Sequence, residues 1–229
     1  MKRYNNLVLN IPHSSIHGLK DSGWNDINTL VREEVRKWTD WFTDFIFHSD
    51  CNAVEVVFKH SRFLVDVERL IHDPLEENGQ GIIYTRFNGH TRLVTDEQRQ
   101  RYMNLYNEHH KRITEAINDS TILIDCHSFP SDVCNEVDIC IGFNDDHTKP
   151  NVETIQTIEN IFKSHGYKTA LNYPYSNSIA PETDKEYNSL MIEVNKQCYM
   201  DEHNLSLNAD HYKLTATLNS VYHTLLNLK

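Results

Sequence analysis

Glycine and proline are scarce in this chain, seven and six among 229 residues. With so few breakers, and no repeat or biased stretch, a linker-joined or low-complexity architecture is excluded. A single domain spanning residues 1–229 is the expectation, since this length suits one large domain better than two small ones. The five cysteines (Cys51, Cys126, Cys134, Cys140 and Cys198) are odd in number and contain no Cys-x-x-Cys pair. That argues against a disulfide framework or a zinc ribbon and for reduced thiols in a cytoplasmic protein. No run approaches the ~20 apolar residues of a membrane span. Lys2 and Arg3 are followed only by the short run Leu7–Ile11, interrupted by Asn10, so no signal peptide is expected. Basic residues are in deficit, 22 Lys and Arg against 33 Asp and Glu, for a net charge of -11. A nucleic-acid role is therefore disfavoured, because phosphate contacts need a basic surface. An anionic small molecule would have to be met by a local cationic pocket.

Hydrophobic residues make up 39% of the chain, enough for a substantial core. Short runs rich in β-branched residues predict strands at Leu7–Ile11, Ala53–Phe58, Phe63–Val67, Thr121–Ile124, Val137–Gly142, Lys168–Leu171 and Leu190–Val194. Between them, apolar residues recur at helical spacing over Asp26–Phe47, Asp96–Asn118, Asn151–His165 and Leu205–Leu228. Strands alternating with helices of this length predict a three-layer α/β/α sandwich on a mixed, mostly parallel sheet. Ligands in such sheets bind beyond the carboxyl ends of the strands.

The residues at those ends are informative. His13-Ser14 follows the first apolar run and His127-Ser128 follows the fourth, behind Asp125. Glu193 stands inside the apolar run Leu190–Val194, where a charge needs a partner or a function. Arg62 precedes the apolar stretch Phe63–Val65, and Asp66, Glu68 and Arg69 come after it. Gathered in one cleft, these groups suit metal-assisted hydrolysis, with imidazole and carboxylate ligands, a carboxylate to carry a proton and arginines for developing or permanent negative charge. Each also has a plainer reading. His13 fits a turn, His127 a satisfied strand-end histidine, Asp125 a helix cap or the orienting partner of a bound histidine. Arg62, Asp66, Glu68 and Arg69 fit a surface ion-pair cluster.

Several blocks resemble the N-formylglutamate amidohydrolase family: Leu9–Ser15, Thr39–Asp44, Ser61–Arg69, Ile124–Ser131 and Met191–Lys196, with Gly81–Arg86 and Asn172–Ile179. They occur in the family's order and span most of the chain. The resemblance implies a fold related to zinc carboxypeptidases and aspartoacylases. It also implies a metal, zinc first, and a small anionic N-acyl amino acid as substrate. By the same resemblance His13 and His127 are ligands, Glu193 is the general base and Arg62 polarises the scissile carbonyl. Arg69 grips the substrate carboxylate. Beside the resemblance, Ser14, Tyr175 and Ser178 are candidate substrate contacts, the last two on an Asn172–Ile179 stretch that equally fits an ordinary surface loop. The relatives carry a Glu three residues after the first His, whereas this chain has Ile16. The missing carboxylate is sought at Asp44 or Asp40, with Asp44 placed ahead and Glu68 as an outside candidate. One continuous helix would turn both aspartates outward, and a break near Thr39, with Thr39 capping a second helix, would re-aim them. Two rival functions are a carboxypeptidase-like or cell-wall-peptide amidase and a metal-free ligand-binding protein.

Overall fold

The computed structural model describes residues 4–20 and 22–227, so Lys2, Arg3 and Leu228 lie outside the described residues. Among the described residues ten strands follow one another: β1 (Asn6–Ile11), β2 (Ala53–Val57), β3 (Arg86–Phe87), β4 (His90–Thr91), β5 (Thr121–Phe129), β6 (Ile139–Gly142), β7 (Thr169–Leu171), β8 (Asn188–Asn195), β9 (Met200–Asp201) and β10 (Ser206–Leu207). Six of them form the central sheet in the order β2-β1-β5-β8-β6-β7. β2, β1, β5 and β8 run parallel, and β6 pairs antiparallel with β8 while lying parallel to β7. The architecture is α/β on a mixed, mostly parallel sheet.

Alternation along the central strands explains why their ends carry the chemistry. Leu7, Leu9 and Ile11 of β1, Ile122 and Ile124 of β5, and Leu190, Ile192 and Val194 of β8 point to one face. There they pack with Phe162 of α5 (Val152–Ser164) and Leu214, Leu218 and Tyr222 of α6 (His211–Asn227). The other face is apolar only part of the way. Val8 and Leu123 meet Ile113 of α4 (Asp96–Ala116) together with Ile117 just after it, and beyond them the same face turns polar with Asn10, Asp125, His127 and Glu193. Register pairs Asn10 with Asp125 and His127 with Glu193. Helices thus cover both faces, while polar side chains on one face open near the carboxyl ends of the parallel strands.

Three expected elements differ, the least of them Leu205–Leu228, where Ser206–Leu207 forms β10 and α6 begins only at His211. Phe63–Val67 is buried but is not a strand. Its backbone turns on Ser61, with Leu64 N and Val65 N donating to Ser61 O at 2.8 and 3.1 Å. The carbonyls of Phe63 and Leu64 are taken by the Arg92 guanidinium at 3.1 and 3.0 Å. An apolar run buried on all sides looks like a strand in sequence even when no partner strand is present.

The segment Asp26–Phe47 is not one helix. α1 (Ile27–Leu30), a π-helical turn (Val31–Val35) and α2 (Arg36–Trp38) follow one another, and the chain then extends at Thr39 (φ -78°, ψ 134°). It turns at Phe42 (φ 63°) and restarts as α3 (Thr43–Ile46). The break falls where Thr39 suggested it, but the residue before α3 is Phe42. The Thr43 hydroxyl and amide both bond back to Asp40 O, at 2.8 and 3.2 Å.

Candidate functional site

β1 leads through Pro12 to His13, which is 2% exposed. Its Nε2 lies 2.9 Å from Asp66 Oδ1. Burial works against the Asp66 carboxylate, but Arg62, His13 and Arg69 hold it well below the usual range, so it can only accept. Nε2 therefore carries a hydrogen, and Nδ1 is the nitrogen left for another partner. That atom is buried and finds no hydrogen-bond partner among the described residues. It faces Asp40 Oδ2 at 3.7 Å.

His127, on β5, presents its Nδ1 to the same Asp40 oxygen at 3.1 Å and its Nε2 to Asp125 Oδ1 at 3.1 Å. The two imidazoles are 5.1 Å apart and inclined by 57°. Each is backed by its own carboxylate, Asp66 or Asp125, and both turn Nδ1 toward Asp40. Imidazole nitrogens steered by carboxylates behind them, with a shared carboxylate in front, are the donor set of a divalent-metal site. His13, Asp40 and His127 form a buried group that could hold a metal ion. A second group, Glu68, Asp125 and His127, has comparable spacing. Asn10 Nδ2 donates into it, to Glu68 Oε1 at 2.8 Å and Asp125 Oδ1 at 2.9 Å, which disfavours a cation there.

Charge in this cluster is strongly coupled to burial. Burial would raise Asp40, yet the imidazoles of His127 and His13 hold it below the ordinary carboxylate range. Burial would lower His127, but Asp125, Asp40 and Glu68 push it well above the ordinary imidazole value. Burial drives Glu193 up to about 8; Asp40 and Asp125 add to the rise, whereas His127 and Arg62 oppose it. Glu193 Oε2 is buried with no hydrogen-bond partner among the described residues.

These residues line a cleft of about 880 Å³, with Arg62, Arg69, Tyr175 and Ser178 also in its walls. Arg62 Nη2 donates to Asp66 Oδ2 at 3.0 Å, and Arg69 Nε lies 3.6 Å from the same oxygen. The two guanidiniums are thereby clamped side by side, only 19% and 23% exposed. Ser178 sits in a loop that crosses close to the end of β6. A Cβ on Gly142 would lie 2.6 Å from Asn177 O, so that approach requires glycine.

Not every expected residue is brought in. Asp44, placed ahead as a ligand, is exposed on the first turn of α3 and lies outside the histidine pair. Asp40 takes that place because the bend after α2 turns it inward, its own amide donating to His13 O at 3.0 Å. Ser14 is half-buried and does not line the cleft. Glu68 lines it without joining His13 and Asp40. Asp125 and His127 are not beyond a strand but inside β5, which continues to Phe129.

Sequence reasoning missed the central part played by Asp66. Besides His13, Arg62 and Arg69, this wholly buried carboxylate accepts from Tyr84 Oη and, at 3.1 Å, from Glu68 N. It missed Asn10 too, which joins Glu68 and Asp125 and accepts from His109 Nε2 of α4 at 2.8 Å. Both sit on neighbouring apolar patterns, and a buried polar residue inside such a pattern was the available signal.

The N-formylglutamate amidohydrolase from Ralstonia eutropha superposes with a TM-score of 0.76 at 20% identity, over 98% of this chain and 92% of its own. A gene product from Agrobacterium tumefaciens superposes at 0.66 with 14% identity, over 96% and 92%. At these identities the two structures establish the fold. No curated protein matches the chain in sequence. The family model described as N-formylglutamate amidohydrolase matches residues 5–200, a stretch that contains every residue of the cluster described above. The chain belongs to the N-formylglutamate amidohydrolase family.

Proposed function

We propose that the protein hydrolyses N-formyl-L-glutamate, or a close N-acyl amino acid, to the free amino acid and formate or the corresponding acid. The observation that carries this reading is the unpartnered Glu193 carboxylate beside the His13–Asp40–His127 group, in a cleft walled by two clamped arginines. Two imidazoles and one carboxylate suit zinc, and when bound there such an ion supplies Lewis-acid charge at the reacting carbonyl. Glu193 takes a proton from the attacking water and returns it to the nitrogen as the C–N bond breaks. Arg62 and His127 favour the ionised form of Glu193 against its burial, and a cation held by His13, Asp40 and His127 would favour it further, which suits a group that takes the proton and returns it. Arg62 stands against the negative charge that grows on the acyl oxygen, and Asp66 keeps it in place before substrate arrives. Arg69 meets the substrate carboxylate through the guanidinium nitrogens that Asp66 leaves free. Tyr175 and Ser178 line the same cleft and offer hydroxyls to the substrate.

Formate release from N-formyl-L-glutamate, measured against N-acetylglutamate and a short peptide, tests this. The formyl compound should be cleaved fastest. No formate from protein supplied with Zn²⁺ or Co²⁺ would overturn the reading. A cleft of about 880 Å³ also has room for larger substrates, which favours as second reading an amidase acting on peptides. That reading holds if the peptide outpaces the formyl compound.

Metal uptake should also be linked to protons. Without metal, the raised pKa of His127 keeps its ring protonated between Asp125 and Asp40. Binding at Nδ1 has to expel that proton. Zn²⁺ titrated calorimetrically in buffers of different ionisation enthalpy should show release of about one proton near neutrality. Affinity should rise with pH up to the folded-state value of His127. His127→Ala should take up no metal; a full complement in that variant would remove His127 from the ligand set.

A further inference from the structure

Lys196 is a lysine with 1% exposure, directly after β8 and three residues beyond Glu193. A buried ammonium at such a place needs a reason. Its Nζ donates at 2.5 Å to Lys37 O, in the last turn of α2. Helix carbonyls at a C-terminus lack intrahelical partners, and a cation there is favourable. The neighbouring carbonyls are taken in the same way: Arg36 O accepts from Trp41 Nε1 at 2.8 Å, and Trp41 O accepts from Tyr199 Oη at 2.8 Å. The turn between α2 and α3, which is the piece that carries Asp40, is thus held by side-chain donors on both sides of residue 40. Two of the three, Lys196 and Tyr199, come from the segment just after β8. Burial lowers the Lys196 ammonium; Asp40, Glu202 and Glu193 act against that lowering, and Arg62 adds to it.

We propose that Lys196 is a positioning residue for the metal centre: by bonding the end of α2 it fixes the bend that aims Asp40 between His13 and His127, and its charge offsets the buried Asp40 and Glu193. This rests on the reading of His13, Asp40 and His127 as the metal site. One strand end then supplies both the proton carrier and the group that orders the third ligand.

The test is Zn²⁺ affinity by equilibrium dialysis, with the visible spectrum of the Co²⁺ form, on Lys196→Met, Lys196→Gln and Lys196→Arg. Groups that orient metal ligands typically account for about 10–100-fold in affinity. Lys196→Met should lose that much and change the Co²⁺ spectrum. Lys196→Gln, which keeps a donor without the charge, should fall between it and the wild type, and Lys196→Arg should recover most of the loss. Combining Lys196→Met with Asp40→Asn should weaken binding no further than Asp40→Asn alone, because the lysine acts through Asp40. Unchanged affinity and spectrum in a folded Met or Gln variant overturn the proposal, as do losses that multiply in the double variant. A wild-type protein that binds Zn²⁺ but releases no formate defeats the hydrolase reading and leaves this one standing.

Discussion

Glu193→Gln should bind Zn²⁺ as the wild type does and release formate at least ~100-fold more slowly, the scale of a lost proton-transfer group. Glutamine has nearly the shape of glutamate but cannot accept a proton and hand it on. The substitution disturbs little else, since Oε2 of Glu193 has no hydrogen-bond partner to lose among the described residues. It should even stabilise the metal-free fold. The folded-state pKa of Glu193 is raised to about 8, above the ~4.3 of an unperturbed glutamate. A raised carboxyl pKa is a penalty that begins above the unfolded value and grows until pH passes the folded one. Thermal unfolding of metal-free Glu193→Gln should therefore match the wild type near pH 4 and exceed it increasingly toward pH 8. Turnover within a few fold of wild type would remove Glu193 from the proton path. A stability gap that does not widen with pH would contradict the raised pKa.

Glu193, the candidate proton carrier, was legible in the sequence because an ionisable group inside a wholly apolar strand breaks a strong pattern. The same holds for His13 and His127, each at the point where β1 and β5 turn from apolar to polar on one face. β1, β5, β8, α4, α5 and α6 were legible for the related reason that their periodicity records burial of one or both faces. The third candidate ligand was not. Asp40 and Asp44 are four residues apart, and on a continuous helix nothing separates them. What separates them is the extended Thr39 and the left-handed Phe42, a bend held by Trp41, Tyr199 and Lys196. Two of those three residues lie more than 150 positions away, so local pattern carries no trace of them. Asp66 was hidden by the opposite effect. Arg62, Asp66 and Arg69 have the spacing of a surface ion-pair cluster, and only the fold around Phe63, Tyr84 and Val65 puts the carboxylate at 0% exposure.

That burial makes Asp66→Asn a severely damaging change outside the candidate ligands. Four donors converge on the two carboxylate oxygens: His13 Nε2 and Glu68 N on Oδ1, Arg62 Nη2 and Tyr84 Oη on Oδ2. An asparagine amide has one acceptor oxygen, so two of the four would face an NH₂ group instead. Arg62 and Arg69 would also lose the charge that Asp66 sets against them. Removing one member of a buried ion pair typically destabilises by roughly 3–5 kcal/mol. The site would suffer with the fold. His13 would lose the carboxylate that fixes its tautomer, and both arginines would be free to leave the positions where charge and substrate must be met. Formate release should fall by two orders of magnitude or more, about 3 kcal/mol of transition-state stabilisation, with Zn²⁺ affinity lowered as well. The pH dependence separates this from simple loss of packing. Asp66 has a depressed folded-state pKa, so its stabilisation is complete above the unfolded value of about 3.9 and is lost only as pH falls through the folded one. The stability difference between wild type and Asp66→Asn in denaturant titrations should be full at pH 7, still present at pH 4, and close only in stronger acid. A difference that is constant down to the lowest pH at which both fold would mean that the native surroundings do not lower the Asp66 pKa at all. In that case the clamp on Arg62 and Arg69 would not be electrostatic.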